Sequence, residues 1–232
     1  MTTTFHEEQE KENKNIPLAN LFYHMHIKNA LCGMYPELID YEFIGIERYT
    51  YDNDFGRSMQ HKGIDLKLIF KNISTGEYIE KTVEEKVDNS WGVNLEITNW
   101  DKINDCPKEG WAITFSSELL IVFKPEKIYI LKNFNFMKSI CMSWYKQWES
   151  RCGEQPFGFE MNTPQIKYLT TVQKLLSRRT ATNNKKGYYW TSYTTVSEPF
   201  INKYMHCQMV ICQGTNFYKE LANTPYINLY KK

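Results

Sequence analysis

Two short β-like runs and the polar turn between them constrain this chain more than any other stretch. Gly63-Ile64-Asp65-Leu66-Lys67-Leu68-Ile69 and Thr82-Val83-Glu84-Glu85-Lys86-Val87 are separated by Ser74-Thr75-Gly76-Glu77. Alternation of apolar and charged residues puts one strand face into a core and leaves the other polar, so the pair predicts a β-hairpin. Closure on Thr75-Gly76 would set residues whose numbers sum to about 151 opposite one another. Asp65 then faces Lys86, with Glu84 one diagonal step away, within roughly 8 Å. Glu84 and Lys86 project together with Asp65, while Glu85 points to the other face. Asp65 interrupts an apolar run (Ile64, Leu66, Leu68, Ile69, Phe70), and Val83 and Val87 flank Lys86. A carboxylate embedded this way must be paired, solvated or metal-bound. Tyr78, Glu80, Thr82 and Asp88 share the parity of Glu84, so the competing account is a half-buried strand with a solvated side.

Gln60-His61-Lys62-Gly63-Ile64-Asp65, the 19-residue step to Glu84-Glu85-Lys86, and the later Gly110-Trp111-Ala112-Ile113-Thr114 and Leu119-Leu120-Ile121-Val122-Phe123 together resemble the PD-(D/E)xK nuclease superfamily. That superfamily includes restriction endonucleases, Holliday-junction resolvases and phage recombination nucleases. The resemblance covers roughly residues 40 to 132 and departs from the name pattern in having Ile64 where a proline often stands. It implies a restriction-endonuclease-like core, with Asp65 and Glu84 as ligands of Mg²⁺ (Mn²⁺ as a substitute), the main-chain carbonyl of Glu85 as a further ligand, and Lys86 orienting or deprotonating the attacking water. It also implies that an upstream acid joins the site, for which Glu37, Glu42 and Glu47 are all open. The residue types make chemical sense without the family. Mg²⁺ takes a few oxygen ligands and keeps several waters, polarises a phosphodiester and acidifies its water, while a neighbouring cation offsets developing charge.

The rest of the chain reads as an α/β or α+β protein with a mixed central β-sheet flanked by helices. Residues 1–15 are expected to be a flexible leader, 16–150 the α/β core, and 151–232 a C-terminal extension packed on it. From Pro17 to Leu31, Leu18, Leu21, Phe22, Met25 and Leu31 mark an apolar helix face, with Ile27 on its flank and Gly33 ending it. His24 and His26 are two residues apart and do not share a helical face, so they are not a metal pair. Strands are expected at Tyr41–Tyr51, Ile64–Asn72, Glu77–Val87, Trp111–Phe115, Glu118–Lys124 and Lys127–Leu131, and a helix from Asn133 to Glu149 with Phe136, Ile140, Trp144 and Trp148 at spacings of four. Leu95-Glu96-Ile97-Thr98 is open between a surface loop, a helix cap and a segment that brings Glu96 to the site.

Thr163–Arg179 is expected to be helical. The loop after it carries Arg178, Arg179, Lys185, Lys186 and Tyr188 with no acid from 174 to 186, which makes it the candidate nucleic-acid contact. Net charge is only +1, which excludes a globally basic polyanion binder but not a locally positive cleft. The six cysteines form no CxxC frame, so reduced thiols and a reducing compartment are expected. Met1–Asn15 lacks the apolar core of a signal peptide, and no apolar run approaches a membrane span. The expectation is a cytoplasmic, Mg²⁺-dependent DNA endonuclease, off the membrane, with homodimerisation open. The alternatives are a catalytically silent nucleic-acid- or protein-binding module on the same fold, or an adaptor of a larger nucleic-acid machine.

Overall fold

The computed structural model describes residues 15–87, 92–101, 106–124, 127–132, 134–149, 171–180, 188–196, 201 and 206–211. In chain order these form α1 (15–32), β1 (Tyr41–Arg48), α2 (Asp54–His61), β2 (Leu66–Asn72), β3 (Tyr78–Val87), β4 (Val93–Asp101), β5 (Cys106–Glu109), α3 (Trp111–Thr114), β6 (Leu119–Phe123), β7 (Lys127–Lys132), α4 (Asn135–Glu149), β8 (Thr171–Thr180), β9 (Tyr188–Val196) and β10 (His206–Ile211). The expected leader lies almost wholly outside the described residues. The described residues of Phe5–Asn89, Ser116–Asn133 and His206–Lys232 make one unit, and those of Ser90–Phe115 and Phe134–Met205 the other.

The first unit is built on a six-stranded sheet in the order β1-β2-β3-β6-β7-β10. β1, β2 and β3 form an antiparallel meander, β6 joins β3 in parallel, and β7 and β10 continue antiparallel. The protein is therefore mixed α/β, with a mixed sheet flanked by helices. Leu119-Leu120-Ile121-Val122-Phe123 is buried on both faces, which is why β6 is an unbroken apolar run rather than an alternating one. β2 does alternate: Leu66, Leu68 and Phe70 are fully buried and Lys67, Ile69 and Lys71 only partly so. The buried set joins Val83, Leu119, Ile121, Phe123, Ile128 and Ile130 beneath α1.

α1 is not one uninterrupted α-helix. Tyr23–Ile27 forms a π-helical turn between α-helical 15–22 and Lys28–Cys32, and the extra residue per turn moves the apolar stripe. Met25, expected on the apolar face, is 43% exposed, whereas Ile27, expected on its flank, is fully buried with Tyr23 and Leu31. His24 and His26 are exposed. Phe22 and Tyr23 meet Phe123 edge-on, with ring centroids 5.6 and 5.9 Å apart.

The second unit holds a four-stranded sheet in the order β5-β4-β9-β8. Leu95-Glu96-Ile97-Thr98 belongs to β4, neither loop nor cap. The strand expected at Trp111–Phe115 is instead the single helical turn α3, closed by bonds from the Ile113 and Thr114 N–H groups to the Gly110 carbonyl. A five-residue apolar run has too little length for its period to separate strand from helix. Trp111 and Phe115 gather there around Phe134. In α4 the described buried stripe is Met137, Cys141 and Tyr145; the side chains of Phe136, Ile140, Trp144 and Trp148 lie outside the described residues.

The helix expected at Thr163–Arg179 is also corrected. Residues 163–170 are outside the described residues, and Thr171–Thr180 is a strand paired antiparallel with β9. Pairing with the Tyr/Thr-rich β9 outweighs a helical period carried by only Val172, Leu175 and Leu176 there. Among the described residues no helix is long and apolar enough to cross a membrane.

Candidate active site

The β2–β3 hairpin forms, but in another register than a two-residue turn would give. Leu66 pairs with Val83, Lys67 with Thr82 and Ile69 with Glu80, so partner numbers sum to 149. The Asn72 N–H donates to the Glu77 carbonyl at 2.7 Å and closes a four-residue loop, Ile73-Ser74-Thr75-Gly76. The Asn72 side chain accepts from the N–H groups of Ser74 and Thr75, both at 2.9 Å, and Gly76 takes φ +74°. A positive φ strains any residue with a Cβ, so glycine suits that corner. The shift is two positions, which changes partners but conserves faces. Asp65 therefore lies alongside Val83–Glu85, not opposite Lys86.

Asp65 is delivered by a helix stop absent from the expected strand map. Asn53 caps α2 by accepting from the Gly56 N–H at 2.7 Å. At the other end, the Ile64 N–H bonds to the Met59 carbonyl and the Gly63 N–H to the Gln60 carbonyl, with Gly63 at φ +65°. This is a Schellman motif, so Gly63 in the Gln60–Asp65 segment has a backbone reason to be glycine. The hydroxyls of Ser116 and Ser117, just before β6, donate to the carbonyls of Lys62 and Gly63. Asp65 follows directly. Its N–H donates to the Val83 carbonyl at 2.8 Å, its carbonyl accepts from the Tyr49 N–H at 2.9 Å, and its Oδ2 accepts from the Glu85 N–H at 2.6 Å. β3 runs on past the end of its ladder with β2, and the Asp65 carboxylate takes the N–H that the ladder would have left open.

Glu84 and Lys86, alternate residues of β3, project from one face as expected. Glu84 is only 3% exposed, in a strand position paired with Leu120 of β6. Its Oε1 lies 2.5 Å from Lys86 Nζ, whose side chain remains 29% exposed. A nearly buried carboxylate with an adjacent ammonium keeps its charge at far lower cost than an isolated one.

Glu85 projects to the opposite face. Its Oε2 accepts from the Tyr23 hydroxyl at 2.6 Å and from Arg48 Nη2 at 3.0 Å, and Arg48 Nε donates to Asn20 Oδ1 at 2.8 Å. Burial foremost, then the negative charge of Glu85, push the Tyr23 phenol well above its ordinary pKa, so it remains an O–H donor. The expectation for Glu85 concerned its carbonyl alone and missed these partners. The only sequence signal was an acid on the apolar parity of β3 together with Arg48 at the end of β1.

Of the upstream acids, Glu47 pairs with Lys67 across β1–β2 and Glu42 with Lys71, whereas Glu37 lies in a 3₁₀ turn, Pro36–Asp40. All three are exposed. Arg178 and Arg179 lie in β8 and Tyr188 at the start of β9, where Thr180 pairs with Tyr188, so these three are strand residues and not a loop; Lys185 and Lys186 lie outside the described residues. Arg178, Arg179 and Tyr188 belong to the second unit.

Among the described residues no group of three or more His, Cys, Asp and Glu side chains gathers as a metal cage. The expected donor set is smaller: the Asp65 and Glu84 carboxylates with the Glu85 carbonyl. These hard oxygens suit Mg²⁺, which uses one or two carboxylates and retains water. Comparison with family models, curated proteins and solved structures finds no match to this chain.

Proposed function

We propose that this chain is a Mg²⁺-dependent deoxyribonuclease on a restriction-endonuclease-like core, hydrolysing phosphodiester bonds within DNA, with Mn²⁺ able to substitute. The observation that carries the proposal is the nearly buried Glu84 carboxylate held 2.5 Å from Lys86, one residue either side of the Glu85 N–H that binds Asp65. Asp65, Glu84 and the Glu85 carbonyl would hold the cation, which when bound supplies Lewis acidity toward a phosphate oxygen. Lys86, 2.5 Å from Glu84, would orient the attacking water and offset charge developing on the phosphoryl oxygens. Arg178, Arg179, Lys185, Lys186 and Tyr188 are proposed to contact the DNA strand.

The test is cleavage of linear, circular and branched DNA with Mg²⁺, Mn²⁺ or chelator, run beside Lys86→Ala. Metal-dependent cutting that Lys86→Ala abolishes while DNA binding persists is the expected result. Absence of cutting on every substrate, with binding indifferent to chelator, rejects the proposal. A second reading then takes its place, a silent nucleic-acid- or protein-binding module. It is favoured by one observation: Asp65 caps a backbone N–H and Glu84 pairs with Lys86, contacts that a purely structural ion cluster also makes.

A further inference from the structure

Glu85 joins the two faces of the sheet. Its amide N–H donates to Asp65 Oδ2 at 2.6 Å, and its carboxylate receives Tyr23 from α1 and Arg48 from β1 on a single oxygen. Glu85 is 11% and Arg48 18% exposed at the side chain, and Tyr23 is fully buried. The surrounding face is made of Leu66, Val83, Ile121 and Phe123, where an apolar side chain would carry no desolvation cost. A buried ion pair is a weak source of stability compared with apolar packing, but two donors from two elements fix a carboxylate in one rotamer. The π-turn in α1 begins at Tyr23, the residue that reaches Glu85.

We infer that Tyr23 and Arg48 are positioning residues for the candidate site. Acting through the Glu85 carboxylate, they hold the β3 main chain at Glu85 so that its N–H aims the Asp65 carboxylate and its carbonyl stands beside Glu84. Their role toward a divalent cation rests on the nuclease proposal; the mechanical link from Tyr23 through Glu85 to Asp65 does not. The Tyr23→Phe change keeps the ring packing on Phe22 and Phe123 and deletes only the O–H donor.

The experiment uses the full chain as wild type, Tyr23→Phe, Arg48→Lys and Asp65→Asn. It records the thermal midpoint, the Glu85 amide resonance by ¹H–¹⁵N NMR with labelled glutamate, and the affinity for Mn²⁺ by titration of the free-ion electron paramagnetic signal. In Tyr23→Phe the Glu85 amide proton is expected to move upfield as its bond to Asp65 lengthens, and Mn²⁺ affinity to fall about 10- to 100-fold, as for residues that orient metal ligands, with the thermal midpoint little changed. Arg48→Lys gives the same signs and carries the test if Tyr23→Phe does not fold. An unmoved amide in the folded variants overturns the inference, as does unchanged Mn²⁺ affinity where Asp65→Asn abolishes it. If Asp65→Asn binds Mn²⁺ as wild type does, the nuclease proposal fails, and the amide resonance alone then decides the positioning link.

Discussion

The carboxylate of Asp65 accepts the main-chain N–H of Glu85 at 2.6 Å, so the residue expected to bind a metal also closes the open end of the β2–β3 ladder. The two roles separate by substitution. Asp65→Asn keeps an acceptor oxygen and removes the charge, and is expected to retain near-native stability while losing metal-supported cleavage. Asp65→Ala also orphans the N–H, at a cost of about 1–3 kcal/mol. Urea denaturation beside a cleavage assay checks both, and equal stability of the two variants would count against the bond.

Glu84 and Lys86 form a pair in which the acid is the more buried partner. Glu84→Gln removes the carboxylate charge 2.5 Å from the Lys86 ammonium and is expected to destabilise by about 1–3 kcal/mol. Adding Lys86→Met should return part of that loss, with a coupling of about 0.5–3 kcal/mol in a double-mutant cycle. A coupling near zero would show that the two side chains act independently.

Gly63 ends α2 at φ +65° two residues before Asp65. Gly63→Ala forces a Cβ into the left-handed region and is expected to cost about 1–2 kcal/mol, seen as a lower thermal midpoint. Gln60→Ala, which removes the side-chain bond to the Tyr49 carbonyl but leaves the backbone stop, should cost less.

The π-turn predicts opposite fates for two residues of α1. Ile27→Ala opens a cavity in the core and is expected to cost about 2–5 kcal/mol, whereas Met25→Ala, at an exposed position, should fall within about 0.5 kcal/mol of wild type. An uninterrupted α-helix would reverse the ranking, and chemical denaturation of the two variants distinguishes the cases.

Tyr23 is held protonated by burial and by Glu85, and Tyr35 is pushed up to about 12, also chiefly by burial. A raised folded-state pKa means that the unfolded chain loses its proton first as pH rises. The contribution of each group is complete below the ordinary tyrosine pKa of about 10 and declines above it, with a slope of up to about 1.4 kcal/mol per pH unit per group. Unfolding free energy measured between pH 9 and pH 11 should therefore fall, and Tyr23→Phe should make the fall shallower. A slope unchanged in that variant would mean that Tyr23 ionises alike in both states.

Much of the first unit was legible because its signals are local. Alternation in β2 and β3 assigns faces, and a register error of two positions left Glu84 and Lys86 together and Glu85 opposed to them. The unbroken run Leu119–Phe123 marks a central strand for the same reason. Three kinds of feature escaped. α2, Asp54–His61, carries only two large apolar residues, Phe55 and Met59, and their four-residue spacing over so short a stretch is too little to set it apart from a loop between strands. β8 shows a helical spacing that its pairing with β9 overrides. α3 is too short for a period to exist.

The amino-acid sequence by itself determined which residues of the hairpin share a face, that the chain turns around Gly76, and which types of group the site contains. Those properties follow from side-chain alternation and backbone sterics, which act over a few residues. Only the tertiary structure decided the register, the phase of the apolar stripe in α1, and the partners of Glu85. The register is set at the loop, where Asn72 caps the N–H groups of Ser74 and Thr75 close by in the chain; the other two depend on contacts between distant segments, α1 packing on Phe123 through a π-turn and Tyr23 and Arg48 meeting one carboxylate. Such contacts are selected by the packing of the whole sheet, and no local period encodes them.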